Sequence, residues 1–204
     1  MEKGTTWIYA GSVAWQEQGS QIHQTQVSWT TEILDSVERG RFRIALLLGY
    51  PKDLTWYEKG KKRGCYLLTA VDGREFYLRR LDSECALPKN SLSELAIRED
   101  LFFRLPVRKG DSFGGDPQRE KELHDRLYAW SVEDRKPVTL GGVKGVPQDR
   151  EFTEYVLAYR TNPDHEITTY VPGIGLTRYI YSHHGTVSEV DVRLVEFHGK
   201  ARRD

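Results

Sequence analysis

The stretch CYLLTAVDGREFYLRRL, residues 65–81, decides the fold class. Two runs rich in aliphatic and aromatic residues flank Asp72-Gly73, and glycine accepts the positive φ that a type I′ turn demands. The pattern predicts a β-hairpin with strands over 65–71 and 75–81. Working back toward the N-terminus, the same period of two recurs. Phe42, Ile44, Leu46 and Leu48 share one parity, as do Val27, Trp29, Thr31 and Ile33, and Trp7, Tyr9, Val13 and Trp15. Alternate residues of a strand lie on one face, so each set is a strand with one apolar side. Glu38-Arg39-Gly40-Arg41 supplies a turn, and the three strands read as an antiparallel meander.

Toward the C-terminus, LFFRLP reads as a strand stopped by Pro106, and Tyr128, Trp130 and Val132 resume the alternation. PVTLGGVKGVPQD (137–149) reads as a Gly- and Pro-rich loop. Strands are expected over 151–161, 166–171, 176–183 and 186–197. In the last of these, Val190, Val192 and Leu194 change parity to Val195 and Phe197, which predicts a bulge near Leu194. Two short helices are expected, one capped by Ser91 or Ser93 and reaching Leu95 and Ala96, and one over 117–126 behind Asp116-Pro117. About nine strands with short turns argue against an alternating parallel α/β fold. The expected class is all-β with one or two minor helices: a curved antiparallel sheet, as a half-barrel or an open barrel.

The 204 residues suit a single domain over 1–204, with a weak boundary at the Gly-rich segment 110–117. Thirty Lys+Arg balance thirty Asp+Glu, so the chain lacks the basic excess of a nucleic-acid binder. No apolar run approaches the roughly 18 residues of a membrane-spanning helix. The opening Met-Glu-Lys-Gly-Thr-Thr has no basic region followed by an apolar stretch, so no signal peptide is expected in this chain. Cys65 and Cys85 lack zinc-ligand spacing. A two-residue hairpin turn would set Cys65 beside Arg80, well short of Cys85, so free thiols are expected unless the chain turns back after Leu81.

No catalytic constellation stands out. His183 and His184 are adjacent, and His23, His124, His165 and His198 are scattered, so neither a metal site nor a cofactor is expected. Glu189 and Asp191 share a strand face with Arg193 and read as its solvated side. Gly60-Lys61-Lys62-Arg63-Gly64 reads as a loop. In VPGIGLTRY, Pro172, Gly173 and Gly175 specify a tight reversal around Ile174 and are assigned a structural role. The concentrated feature is aromatic: Trp7, Tyr9, Trp15, Trp29, Phe42, Tyr128 and Trp130. Most of such a set belongs in a core. Its functional reading makes Trp7, Tyr9, Trp29, Tyr128 and Trp130 the lining of an apolar groove on the concave face.

The stretch TTYVPGIGLTRYIYSHHGTVSEVDVRLVEF (168–197) resembles the closing strands of a group of uncharacterised bacterial cell-envelope proteins, often lipoproteins. LPVRKGDSFGG (105–115), YAWSVED (128–134) and the opening Gly4–Tyr9 resemble the same group, for about half of the chain in all. The resemblance implies a curved sheet like the half-barrels of the LolA and LolB lipoprotein carriers, and a periplasmic or cell-envelope location. It brings no catalytic residues. The first expectation is therefore a non-enzymatic binding or structural domain whose partner is an apolar ligand, an amphiphile or a protein. The alternative is a small hydrolase or metal-dependent enzyme assembled only in three dimensions. A His with a carboxylate partner in a deep polar pocket would favour that alternative, and an apolar groove the first.

Overall fold

The computed structural model describes residues 1–16, 21–82, 84–88, 100–115 and 127–199. Both expected helices lie outside these residues. Among the described residues, twelve strands form one antiparallel sheet: β1 Thr6–Gln16, β2 Ile22–Arg39, β3 Phe42–Leu48, β4 Cys65–Val71, β5 Glu75–Leu81, β6 Leu101–Arg104, β7 Ser112–Phe113, β8 Trp130–Thr139, β9 Glu151–Arg160, β10 Asp164–Val171, β11 Gly175–His183 and β12 Ser188–His198. A 3-10 turn, Pro51–Leu54, follows β3.

Each strand pairs with its neighbour in sequence, except that β6 does not pair with β7 and β1 pairs with β12. The sheet thus runs from β6 back to β1, across to β12 and down to β7. Strands that twist in one sense bring the two edges of so wide a sheet round to meet. β6 and β7 adjoin, and the Cα of Gly114 lies so close to the Leu101 carbonyl that a Cβ there would clash with its oxygen. The expected all-β class and curved antiparallel sheet are both present. The curl goes beyond half a barrel, to one that is nearly closed.

The hairpin at residues 65–81 forms with Asp72 and Gly73 at φ of 51° and 65°. Arg74 joins the turn, and Val71 pairs with Glu75, so Cys65 faces Leu81 instead of Arg80. The chain then turns back, and Cys85 comes within 5.6 Å of Cys65, Cα to Cα, in a disulfide. This corrects the expectation of free thiols: the reversal after Leu81 that a bridge required is present. A second correction concerns β8, which continues through Pro137 to Thr139, opposite Thr153 and Glu151, so the expected loop begins only at Leu140.

The parity change in the last strand is a β-bulge. Ile8 pairs with Glu196 and Tyr9 with Leu194, leaving Val195 unpaired against β1. The 140–149 loop uses it: Lys144 N donates to Val195 O at 3.0 Å, and Phe197 N donates to Lys144 O at 2.8 Å. Glu189 and Asp191 point away from the core as expected, and Asp191 is held by Arg178 at 2.7 Å.

Inside the barrel, the larger apolar cluster joins Tyr9, Val13, Ile33, Leu47, Tyr66, Tyr179, Val192 and Leu194. A second joins Phe103, Phe113, Trp130, Val132, Tyr155 and Leu157 beside the β6/β7 seam. Phe76 and Tyr170 pack against this second cluster, with Phe103 and Tyr170 ring centroids 4.5 Å apart.

Candidate functional site: a cavity at one end of the barrel

Strand alternation sends Trp7 and Tyr9 of β1, Thr31 and Ile33 of β2, Leu47 of β3, Leu68 and Ala70 of β4, and Phe76 and Leu78 of β5 toward one interior space. It closes against Tyr170, the turn Pro172-Gly173-Ile174-Gly175 and Phe197, and holds about 360 Å³. That volume lies within the range of small-molecule sites. The wall is mainly hydrocarbon and aromatic.

The polar groups of this space fall into two zones. Deep inside, the Tyr9 hydroxyl donates to Leu176 O at 3.0 Å. Burial pushes the Tyr9 hydroxyl pKa up, and burial followed by the field of Glu166 raises that of Tyr50. Both phenols therefore stay neutral at physiological pH, and the interior presents no charge of their making. Charge appears at the mouth, with Glu2 and with Arg43, which is paired to Glu38 at 2.9 Å.

The turn between β10 and β11 belongs to this wall. Gly173 and Gly175 have φ of 79° and 112°, Ile174 N donates to Val171 O at 3.1 Å, and Ile174 itself is buried. Trp7 Nε1 donates to Ile174 O at 2.7 Å. A Cβ on Gly175 would stand 3.2 Å from that nitrogen. The reversal thus places its own carbonyl where the indole of β1 can hold it.

The five aromatic candidates separate. Trp7 and Tyr9 line the cavity. Trp29 is buried in the main core and donates to Gly49 O at 3.0 Å. Trp130 lies in the second cluster with its ring 5.3 Å from Tyr159. Tyr128 sits in the turn before β8 at φ 59°, its N–H on Arg160 O. Sequence reasoning missed Leu47, Tyr50, Leu68, Ala70, Phe76 and Tyr170. On β3 the alternation pointed to Phe42, Ile44, Leu46 and Leu48, whereas Leu47, of the other parity, lines the cavity and Ile44 packs with Leu67 in a separate cluster; no local pattern said which strands would face one another across the barrel.

At the opposite end of β11 lies a polar group of side chains. His183 Nδ1 and Tyr181 Oη both meet Asp164 Oδ1, at 2.9 and 2.7 Å. Desolvation alone would raise the Asp164 pKa, but hydrogen bonds from His183, Tyr181 and Thr161 outweigh it and hold the carboxyl below its usual range. Buried Glu166 accepts from Lys52 Nζ at 2.9 Å. Lys52 loses affinity for its proton by desolvation and regains more from Glu166, so its pKa stands above the ordinary value. Ser188, buried, receives the Trp56 backbone N–H at 2.9 Å. None of these side chains lines the cavity. Among the described residues, no three His, Cys, Asp or Glu side chains gather to hold a metal.

No family model matches the chain, and no curated protein does. Two solved structures are similar along nearly its whole length. One is a Bacteroides fragilis protein described as exported, with a YmcC-like fold: 10% identity, TM-score 0.43, 97% of each chain covered. The other is a Parabacteroides distasonis protein described as a lipoprotein: 11% identity, TM-score 0.37, covering 96% of this chain and 95% of that one.

Proposed function

We propose that this protein is a non-enzymatic binding domain of the cell envelope that takes the apolar part of an amphiphile into its barrel. The observation that carries the reading is the cavity of about 360 Å³, walled by Trp7, Ile33, Leu47, Leu68, Phe76 and Leu78, with charge confined to its mouth. An uncharged apolar interior rewards burial of a hydrocarbon or ring system, while Arg43 and Glu2 leave a polar head at the entrance. The His183–Asp164 pair, which would have favoured hydrolysis had it stood in the cavity, is at the other end of β11. Location in the envelope rests on the resemblance of residues 168–197 to envelope proteins, and the likeness to lipoprotein carriers of the LolA and LolB kind rests on that same stretch.

Titration with N-phenyl-1-naphthylamine, an uncharged probe that fluoresces in apolar surroundings, tests the proposal. Wild type should bind it saturably. Ala70→Leu, which projects a larger side chain into the space, should weaken binding roughly tenfold, about 1.4 kcal/mol, while the thermal midpoint stays within a few degrees. Absence of saturable binding by wild type, or equal binding by the variant, would sink it.

A further inference from the structure

At the barrel end away from the Pro172–Gly175 turn, a row of aromatic side chains runs along the rim. Trp15 stacks on His23 with centroids 5.3 Å apart and meets Tyr57 at 5.0 Å, and the next residue, Trp56, stands edge-on to His183 at 4.6 Å. Ile22 lies beside His23. Only three large apolar residues among those described are exposed, and two of them, Ile22 at 56% and Trp56 at 48%, belong to this rim.

Trp56 is held in place. Its φ of 51° is unfavourable for a bulky residue, yet both of its backbone polar groups are fixed: the N–H by Ser188 Oγ and the carbonyl by Lys61 Nζ at 2.9 Å. The loop backbone thus fixes the position of a residue that is 48% exposed. The same loop is cationic. Residues 55–64 carry Lys59, Lys61, Lys62 and Arg63 against the single carboxylate of Glu58, and Lys59, Lys62 and Arg63 are exposed. Lys59 and Lys62 make no ion pair among the described residues.

An exposed tryptophan with tyrosine, histidine and isoleucine beside it, backed by unpaired lysines, has the chemistry of a bilayer interface. Amphipathic rings settle at the headgroup level, and cations near a surface of anionic lipid add attraction that salt screens. A nucleic acid would meet too few cations on this loop, and a hydrophobic protein partner would gain nothing from unpaired Lys59 and Lys62. We infer that this rim, Ile22, Trp15, Tyr57 and Trp56 with Lys59 and Lys62, docks the protein on an anionic lipid bilayer.

The experiment is co-sedimentation of the full chain with phosphatidylcholine vesicles, with and without phosphatidylglycerol, at low and high salt. Wild type should sediment with the phosphatidylglycerol vesicles at low salt and be released at high salt. Trp56→Gly, which suits the positive φ, and the double variant Lys59→Glu with Lys62→Glu should each weaken vesicle binding by roughly tenfold or more. Both should keep the wild-type affinity for N-phenyl-1-naphthylamine, because the cavity lies at the other end. Failure of wild type to sediment with anionic vesicles at low salt, or sedimentation by both variants equal to wild type, overturns the inference. So does a rim that captures a protein while ignoring vesicles. Since the probe titration is read separately, a failed cavity and a failed rim give different results.

Discussion

Replacing Gly175 with alanine tests the junction between the β10–β11 turn and the cavity wall. Two costs follow from the structure. At φ 112° any residue with a Cβ is strained, at about 1–3 kcal/mol. The new Cβ would also stand 3.2 Å from Trp7 Nε1, pushing the indole from Ile174 O, and loss of that hydrogen bond adds about 1 kcal/mol. The sum is about 2–4 kcal/mol, or a fall in midpoint of about 4–16 °C for a domain of this length. Gly73→Ala is the control. Gly73 also has positive φ, but a Cβ there meets nothing within 4 Å, so only about 1–2 kcal/mol of backbone strain applies. Urea unfolding of the three proteins, followed by tryptophan emission, measures the difference. If Gly175→Ala loses no more stability than Gly73→Ala, the Trp7 contact does not hold the turn and the wall argument fails. Replacing Gly173 as well should add its own strain, since its φ of 79° is also positive.

Converting both Cys65 and Cys85 to serine opens a covalent loop whose ends are 20 residues apart in sequence, and should lower stability by about 3 kcal/mol in urea; a midpoint indifferent to the change and to reductant would mean the bridge does not constrain the unfolded chain. Asp164 has a folded-state pKa below its unfolded value, so it stabilises above about pH 4, and that contribution disappears as pH falls through the lowered value. Asp164→Asn should therefore be less stable at neutral pH and show a flatter acid limb; acid-unfolding curves that run parallel for the two proteins would contradict the assigned hydrogen bonds.

Local signals in the sequence were legible where one or two residues decide the geometry. Asp72-Gly73 specified its turn, and the slip from Leu194 to Val195 disclosed a bulge that the 140–149 loop then bridges. What stayed hidden depends on how distant strands meet. Arg74 entering the hairpin turn moved the register by one residue, and the path after Leu81 carried Cys85 back over Cys65. Pro137 looked like the start of a loop because proline usually interrupts a ladder, yet β8 accommodates it. For the site, Trp7 and Tyr9 were recoverable from their alternation on β1. Trp29 and Trp130 carry the same alternation and go to the packed core, because closure, not pattern, determines which inward side chains have neighbours close enough to leave no space. Tyr50 belongs to no strand, and nothing in its local sequence assigns it a wall.

The pairing of β1 with β12 has a consequence for how this molecule is made. One of the longest ladders in the sheet joins Thr6 to His198 and Trp15 to Ser188, so one edge of β1 awaits a strand made after the other eleven. Until then the β1–β6 meander exposes the edge of β1, with Trp7, Tyr9 and Val13 on a face that has not yet been enclosed. Contacts so remote in sequence slow folding, since the loop entropy must be spent before they form. Enclosing the interior therefore requires β12, and any state in which β1 lacks that partner presents an unpaired edge that other strands can join.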